Sequence, residues 1–159
     1  MAASQTHFEP GYQKDALLIL KNSGAITASG ALDATGGAAA PIVDCGTGLA
    51  YYKLVLDFSA LLATASNAVE VYVQGSPDAT FGTAGNIEEL FSTGTLGDIA
   101  ARRTDADATD DLVTTGRGRL VYYFRNEKNG RVFRYLRIYT LVVASGTCTY
   151  SAQLTELAM

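Results

Sequence analysis

The chain has no tryptophan, one histidine, two cysteines and three prolines in 159 residues. Cys45 and Cys148 lie far apart and have no CxxC spacing, which excludes a disulfide-dense scaffold and a zinc ribbon. Buried free thiols are the ordinary state for such a pair; a single cross-sheet disulfide is the alternative. His7 sits in a polar N-terminal stretch, a poor platform for a catalytic triad, which needs its imidazole held rigidly beside the nucleophile. Zinc on Cys45, Cys148 and His7 would still lack a fourth ligand.

Charge is scarce as well. Charged residues make up 18% of the chain, against about 25% in soluble domains, and a surface short of charge is often one covered by a partner. Disorder is excluded, because it needs low hydrophobicity and high net charge, whereas here 48% of residues are hydrophobic and the net charge is −4. Lys and Arg number 12 against 16 Asp and Glu, so the basic stripe of a nucleic-acid binder is missing. Arg117, Arg119, Arg125, Lys128, Arg131, Arg134 and Arg137 cluster in sequence, but several alternate with apolar residues and read as one face of a sheet. No direct nucleic-acid contact is expected. Long hydrophobic runs are absent too: Ala16 to Leu20 falls far short of the ~20 residues of a membrane helix. The N-terminus has no basic segment followed by an apolar one, so synthesis in the cytoplasm without export, and no membrane contact, are expected.

What the chain does have is period-two alternation bounded by Gly, Ser, Thr, Asn and Asp. Tyr52, Leu54, Leu56 and Phe58 share one face, with Tyr51, Lys53, Val55 and Asp57 opposite. Val69, Val71 and Val73 alternate with Glu70, Tyr72 and Gln74. Leu120, Tyr122 and Phe124 alternate with Arg119, Val121, Tyr123 and Arg125. Leu136 and Ile138 alternate with Tyr135, Arg137 and Tyr139, and Cys148, Tyr150, Ala152 and Leu154 with Thr147, Thr149, Ser151 and Gln153. Shorter strands are expected at Asp15–Leu20, Ala25–Ser29 and Ile87–Ser92, the last with a helical turn as the alternative. Asn129-Gly130 is a hairpin signal between the runs 119–125 and 132–139. About eight short strands with Gly-rich turns and no helical apolar stripe predict an all-β fold, a β-sandwich of jelly-roll type.

Three segments fall outside the strand pattern. Residues 1–14 read as a polar N-terminal arm carrying Phe8 and Tyr12, ahead of a single sandwich domain over 15–159. Residues 30–48 form a small-residue loop. Residues 93–118 form a long connection with Arg102, Arg103, Asp105, Asp107, Asp110 and Asp111. Loops this long usually serve a function or a contact. The acidic run 105–111 starts like an EF-hand, but Asp110 stands where Gly is needed and Gly116 where the bidentate Glu is needed. A non-EF calcium loop is the alternative to a solvated or Arg-paired one. Glu88 and Glu89 face apart in a strand and cannot act as a glycosidase pair. No Gly-rich stretch has phosphate-cradle spacing. No enzyme is indicated. The outward tyrosines Tyr51, Tyr72, Tyr123, Tyr135 and Tyr139 suit cross-strand and cation–π pairing, a protein interface or a sugar platform.

Four segments in order carry a resemblance: Tyr52–Phe58, Val69–Phe81 with its Gln74-Gly-Ser-Pro-Asp-Ala-Thr-Phe81 turn, Arg134–Tyr139 reading Arg-Tyr-Leu-Arg-Ile-Tyr, and Gly146–Leu154. Together with Asp44–Gly48 before the first long strand, the chain resembles the cement (decoration) proteins of tailed-bacteriophage capsids. The likeness spans roughly residues 15–157 and is weakest over 93–118. It implies a jelly roll without enzymatic activity, cofactor or metal. It also implies a homo-trimer that binds the major capsid protein on the outer surface of the virion. Phe8, Tyr12, Arg102, Arg103, Tyr135 and Tyr139 are the candidate interface residues. The segment Arg134–Tyr139 also resembles discoidin-like carbohydrate-binding sandwiches, which keeps a sugar-binding module, or another tail or head-fibre component, as the alternative.

Overall fold

In the computed structural model, residues 18–62, 67–96 and 118–157 are described. Ten strands run in chain order: β1 Ile19–Ile26, β2 Val43–Asp44, β3 Tyr51–Leu62, β4 Ala68–Ser76, β5 Glu88–Ser92, β6 Gly118–Arg125, β7 Glu127–Lys128, β8 Arg131–Val132, β9 Tyr135–Val143 and β10 Thr147–Leu157. Two four-stranded sheets have the orders β1-β10-β3-β6 and β2-β9-β4-β5, and β7 with β8 makes a small ribbon. Every strand pair is antiparallel. The expected all-β sandwich is the architecture found.

The core lies between the two sheets and follows from the alternation. From the first sheet come Tyr52, Leu54, Leu56, Phe58, Tyr150, Ala152 and Leu154; from the second come Val69, Val71, Val73, Leu136 and Ile138. All are buried. Such β-branched and aromatic residues suit a pleated surface that is buried on one side only. Within the first sheet Phe58 stacks on its cross-strand neighbour Tyr150 at 5.0 Å, and across the layer Phe91 of β5 meets Tyr122 of β6 at 4.6 Å. The Thr140 hydroxyl of β9 and the Tyr150 hydroxyl of β10 hydrogen-bond at 2.6 Å inside this layer, so a polar tie joins the sheets.

Several details differ from the sequence reading. In place of the two short strands expected at 15–20 and 25–29, a single strand, β1, runs from Ile19 to Ile26, carried through Asn22–Gly24 by register shifts against β10; residues 27–29 are not strand, and 15–17 lie outside the described residues. The bulges turn both Leu20 and Lys21 inward, which strict alternation forbids. The Asn129-Gly130 turn exists, with φ of 55° and 78°, but it closes only the β7–β8 ribbon. The long strands on either side go to opposite sheets, β6 beside β3 and β9 beside β4, because each has an apolar face that needs a different wall of the core. At 87–92 the strand prevails, and the helical turn is confined to Ala84–Asn86. The 30–48 loop contains β2 and buries Ala40 and Val43. After β5 the chain continues along β4, where Leu96 and Val69 exchange backbone hydrogen bonds of 2.7 and 3.2 Å. Cys45 and Cys148 are free thiols. Burial pushes them up to about 11 and about 12 respectively.

Candidate partner interface

With the inner faces committed to the core, the outer faces are the ones that meet the surroundings. On the first sheet, register aligns Tyr51 with Arg125, Lys53 with Tyr123, Val55 with Val121, and Asp57 with Arg119. Tyr123 is 67% exposed, Val121 41% and Tyr51 40%. The Arg119 guanidinium donates to both Asp57 carboxylate oxygens at 2.6 and 3.1 Å, and Arg125 pairs with Glu127 at 2.9 Å. These pairs cancel charge locally, leaving Val121 and Tyr123 exposed along β6, the last strand of its sheet, with Tyr51 and Lys53 of β3 beside them. Alternation placed Val121 on this face, but the sequence alone does not single it out: β-branched residues fill both faces of strands.

The second sheet presents a different surface. Tyr135 and Tyr139 lie on its outer face, and the Tyr139 ring sits 6.3 Å from that of Tyr72. Between them in sequence, Arg137 donates to Gln74 Oε1 at 2.9 Å and lies 4.2 Å from the centre of the Phe81 ring. Arg134 forks onto Asp44 at 2.9 and 2.7 Å and covers the Tyr135 ring at 5.1 Å. The Arg134 guanidinium and the Gly46 N–H hold the Asp44 carboxyl down to about 2. Desolvation, reinforced by Glu70, pushes the Tyr72 phenol up to about 12. This face is half-buried and internally hydrogen-bonded. Of the candidate interface residues, Tyr139 pairs with Tyr72, Tyr135 lies on the same outer face opposite Ser76 and under Arg134, and the outward tyrosines Tyr51 and Tyr123 belong to the other sheet. Phe8, Tyr12, Arg102 and Arg103 lie outside the described residues, as do His7 and the acidic run 105–111.

Among the described residues, no three His, Cys, Asp or Glu side chains are grouped to hold a metal ion. A shallow hollow of about 340 Å³ at the end of the first sheet is lined by Ala25, Thr27, Leu61, Thr147, Cys148 and Thr149. Its one ionisable side chain is the Cys148 thiol, which burial keeps protonated. Among the described residues, no helix is long and apolar enough to cross a membrane. No protein-family model matches the chain, and no curated protein is detectably similar to it.

Proposed function

We propose that the chain is a capsid decoration protein, a trimeric cement bound to the major capsid protein on the outer surface of a tailed-bacteriophage shell. One observation carries this reading. With the β7–β8 ribbon set aside, the eight remaining strands are ordered 1-8-3-6 and 2-7-4-5 in two antiparallel sheets. That order supports a jelly roll, an architecture used repeatedly in viral capsid domains. Fold alone does not fix function; the exposed strip Tyr51, Val121 and Tyr123 on a rigid sheet supplies the contact surface. Aromatic anchors on a pre-ordered face bind with little entropic loss, and many copies on one lattice add avidity. The role is mechanical: neighbouring shell subunits are bridged against internal pressure.

Quantitative mass spectrometry of purified virions tests the reading. The chain is expected at a copy number set by the shell's symmetry, and its absence from particles overturns the assignment. Val121→Asp with Tyr123→Asp should weaken attachment to undecorated shells at least tenfold without lowering the thermal midpoint; unchanged attachment removes this face from the contact. The second reading, a carbohydrate-binding module, is favoured by the Tyr72, Tyr139, Arg137 and Gln74 surface. A glycan array without binding at high protein concentration eliminates it.

A further inference from the structure

Lys21 is fully buried, its ammonium directed into the end of the core beside β10. Its Nζ donates to three backbone carbonyls, those of Asn22 at 2.9 Å, Gly24 at 3.0 Å and Asp33 at 2.5 Å. It also lies 4.8 Å from the centre of the Tyr150 ring. A lysine buried this way is retained only when its donors are met, and here all three are. Asp33 belongs to a loop that runs alongside β1, and that loop meets β1 repeatedly. Asp33 accepts from the Asn22 N–H at 2.6 Å and the Asn22 side-chain amide at 2.9 Å. The Thr35 N–H donates to the Ala25 carbonyl at 2.8 Å, and the Thr35 hydroxyl accepts from the Thr27 N–H at 2.6 Å.

The sequence provides for this close approach. A Cβ on Gly24 would stand 2.4 Å from the Asp33 carbonyl oxygen and 3.0 Å from Ala34 Cβ, so only glycine lets the loop descend onto the strand. At its far ends the loop is tied to the second sheet, since Gly30 and Thr140 exchange backbone hydrogen bonds of 2.9 Å. β1 is the terminal strand of its sheet. Terminal strands expose unpaired backbone groups that template pairing with other chains, and proteins cover such edges with loops or charges.

We infer that Lys21 is a latch that holds the Asp33–Thr35 loop over β1 and closes that edge of the sheet to a strand from a second copy of the chain. The latch works through position. The bulge in β1 turns the ammonium inward, where it joins carbonyls of strand and loop that no side chain on a regular strand could reach together. The charged and titratable groups around it are Asp33, Cys148 and Tyr150. The inference is independent of the capsid reading and stands if that fails.

Native-state hydrogen exchange on the full chain, with Lys21→Met, tests it. The amides of Asn22, Thr27 and Thr35 should exchange at least tenfold faster, while those of Leu54 and Leu154 at the centre of the sheet keep their rates. Light scattering should show a larger mass for the variant than for the unaltered chain, growing with concentration. Unchanged exchange at the three amides overturns the latch, and so does an equal acceleration everywhere. Released amides with an unchanged mass overturn the guarding role. Gly24→Ala keeps the ammonium but lifts the loop, and it must give the same three-amide signature. If neither variant folds, Lys21 belongs to global stability and the local role is overturned.

Discussion

Asn126 shows how much one polar side chain can organise. It is completely buried between β6 and the ribbon. Its Oδ1 accepts from the Ala50 N–H at 2.7 Å, and its Nδ2 donates to the carbonyls of Gly48 and Phe133 at 3.0 and 3.1 Å. Its backbone N–H donates to Ala50 at 3.2 Å and its carbonyl accepts from Phe133 at 2.7 Å. Three chain segments thereby meet at one residue: the entry to β3, the exit of β6 and the entry to β9. Removing the side chain strands a buried donor and two carbonyls, and each buried group left unsatisfied costs about 1–3 kcal/mol. Asn126→Ala should therefore lower stability by about 3 kcal/mol in urea unfolding; a loss below ~1 kcal/mol would mean water replaces the amide at no penalty. In sequence Asn126 is one more polar residue of the run Asn126-Glu-Lys-Asn-Gly130, three positions ahead of the Asn129 that turn chemistry singles out, and nothing local marks it as buried. Lys21 is similarly hidden, because a lysine between Leu20 and Asn22 at the end of an apolar run reads as an exposed one until a bulge shifts its parity.

Individual strands were far more legible than their partners. The inward sets of β3, β4, β9 and β10 follow directly from alternation, because a sheet with one face in a core punishes any slip of one residue. Which strand neighbours which is a different question. β10 pairs with β3 across nearly a hundred residues, and no local pattern encodes that distance. The hairpin signal at Asn129-Gly130 was sound as turn chemistry, with both residues left-handed, yet it says nothing about the strands beyond the ribbon. For the candidate interface, alternation placed Tyr135 and Tyr139 on an outer face, but the separation of the tyrosines onto two opposite faces needed the sheet orders. The Thr140–Tyr150 tie belongs to this same scale, since it fixes how β9 and β10 oppose each other across the core. Tyr150→Phe or Thr140→Val alone should each cost about 1–2 kcal/mol, because the remaining hydroxyl is left buried without its partner. The double variant should lose at least ~1 kcal/mol less than the sum. Strict additivity in the thermodynamic cycle would show that the two hydroxyls do not depend on one another.

At the scale of the whole molecule, the two packed sheets enclose ionisable side chains whose neutral forms burial favours. Burial raises the Cys148 thiol to about 12 and the Cys45 thiol to about 11, from 9.0. It also raises the phenols of Tyr52 and Tyr150 from 10.0. In each case the folded state keeps a proton that the unfolded chain releases at lower pH. Stability from these groups is fully present below pH 9 and is lost as pH rises toward the folded values. Lys21 acts in the opposite sense: burial lowers it below 10.5, so the unfolded chain binds the extra proton and stability rises with pH until both states are neutral. One group gains while two thiols lose from pH 9, joined above pH 10 by three phenols, Tyr52, Tyr150 and the half-buried Tyr72, so the net slope is negative. A single fully buried thiol approaches about 1.4 kcal/mol per pH unit in this window. The urea midpoint should therefore be flat from pH 7 to pH 8.5 and fall steadily above pH 9, and Cys148→Ala should fall less steeply over the same range. A midpoint that holds to pH 11 would mean the thiols reach solvent without unfolding. Water would then be entering between the sheets, where Tyr150 and Cys148 are buried near Lys21.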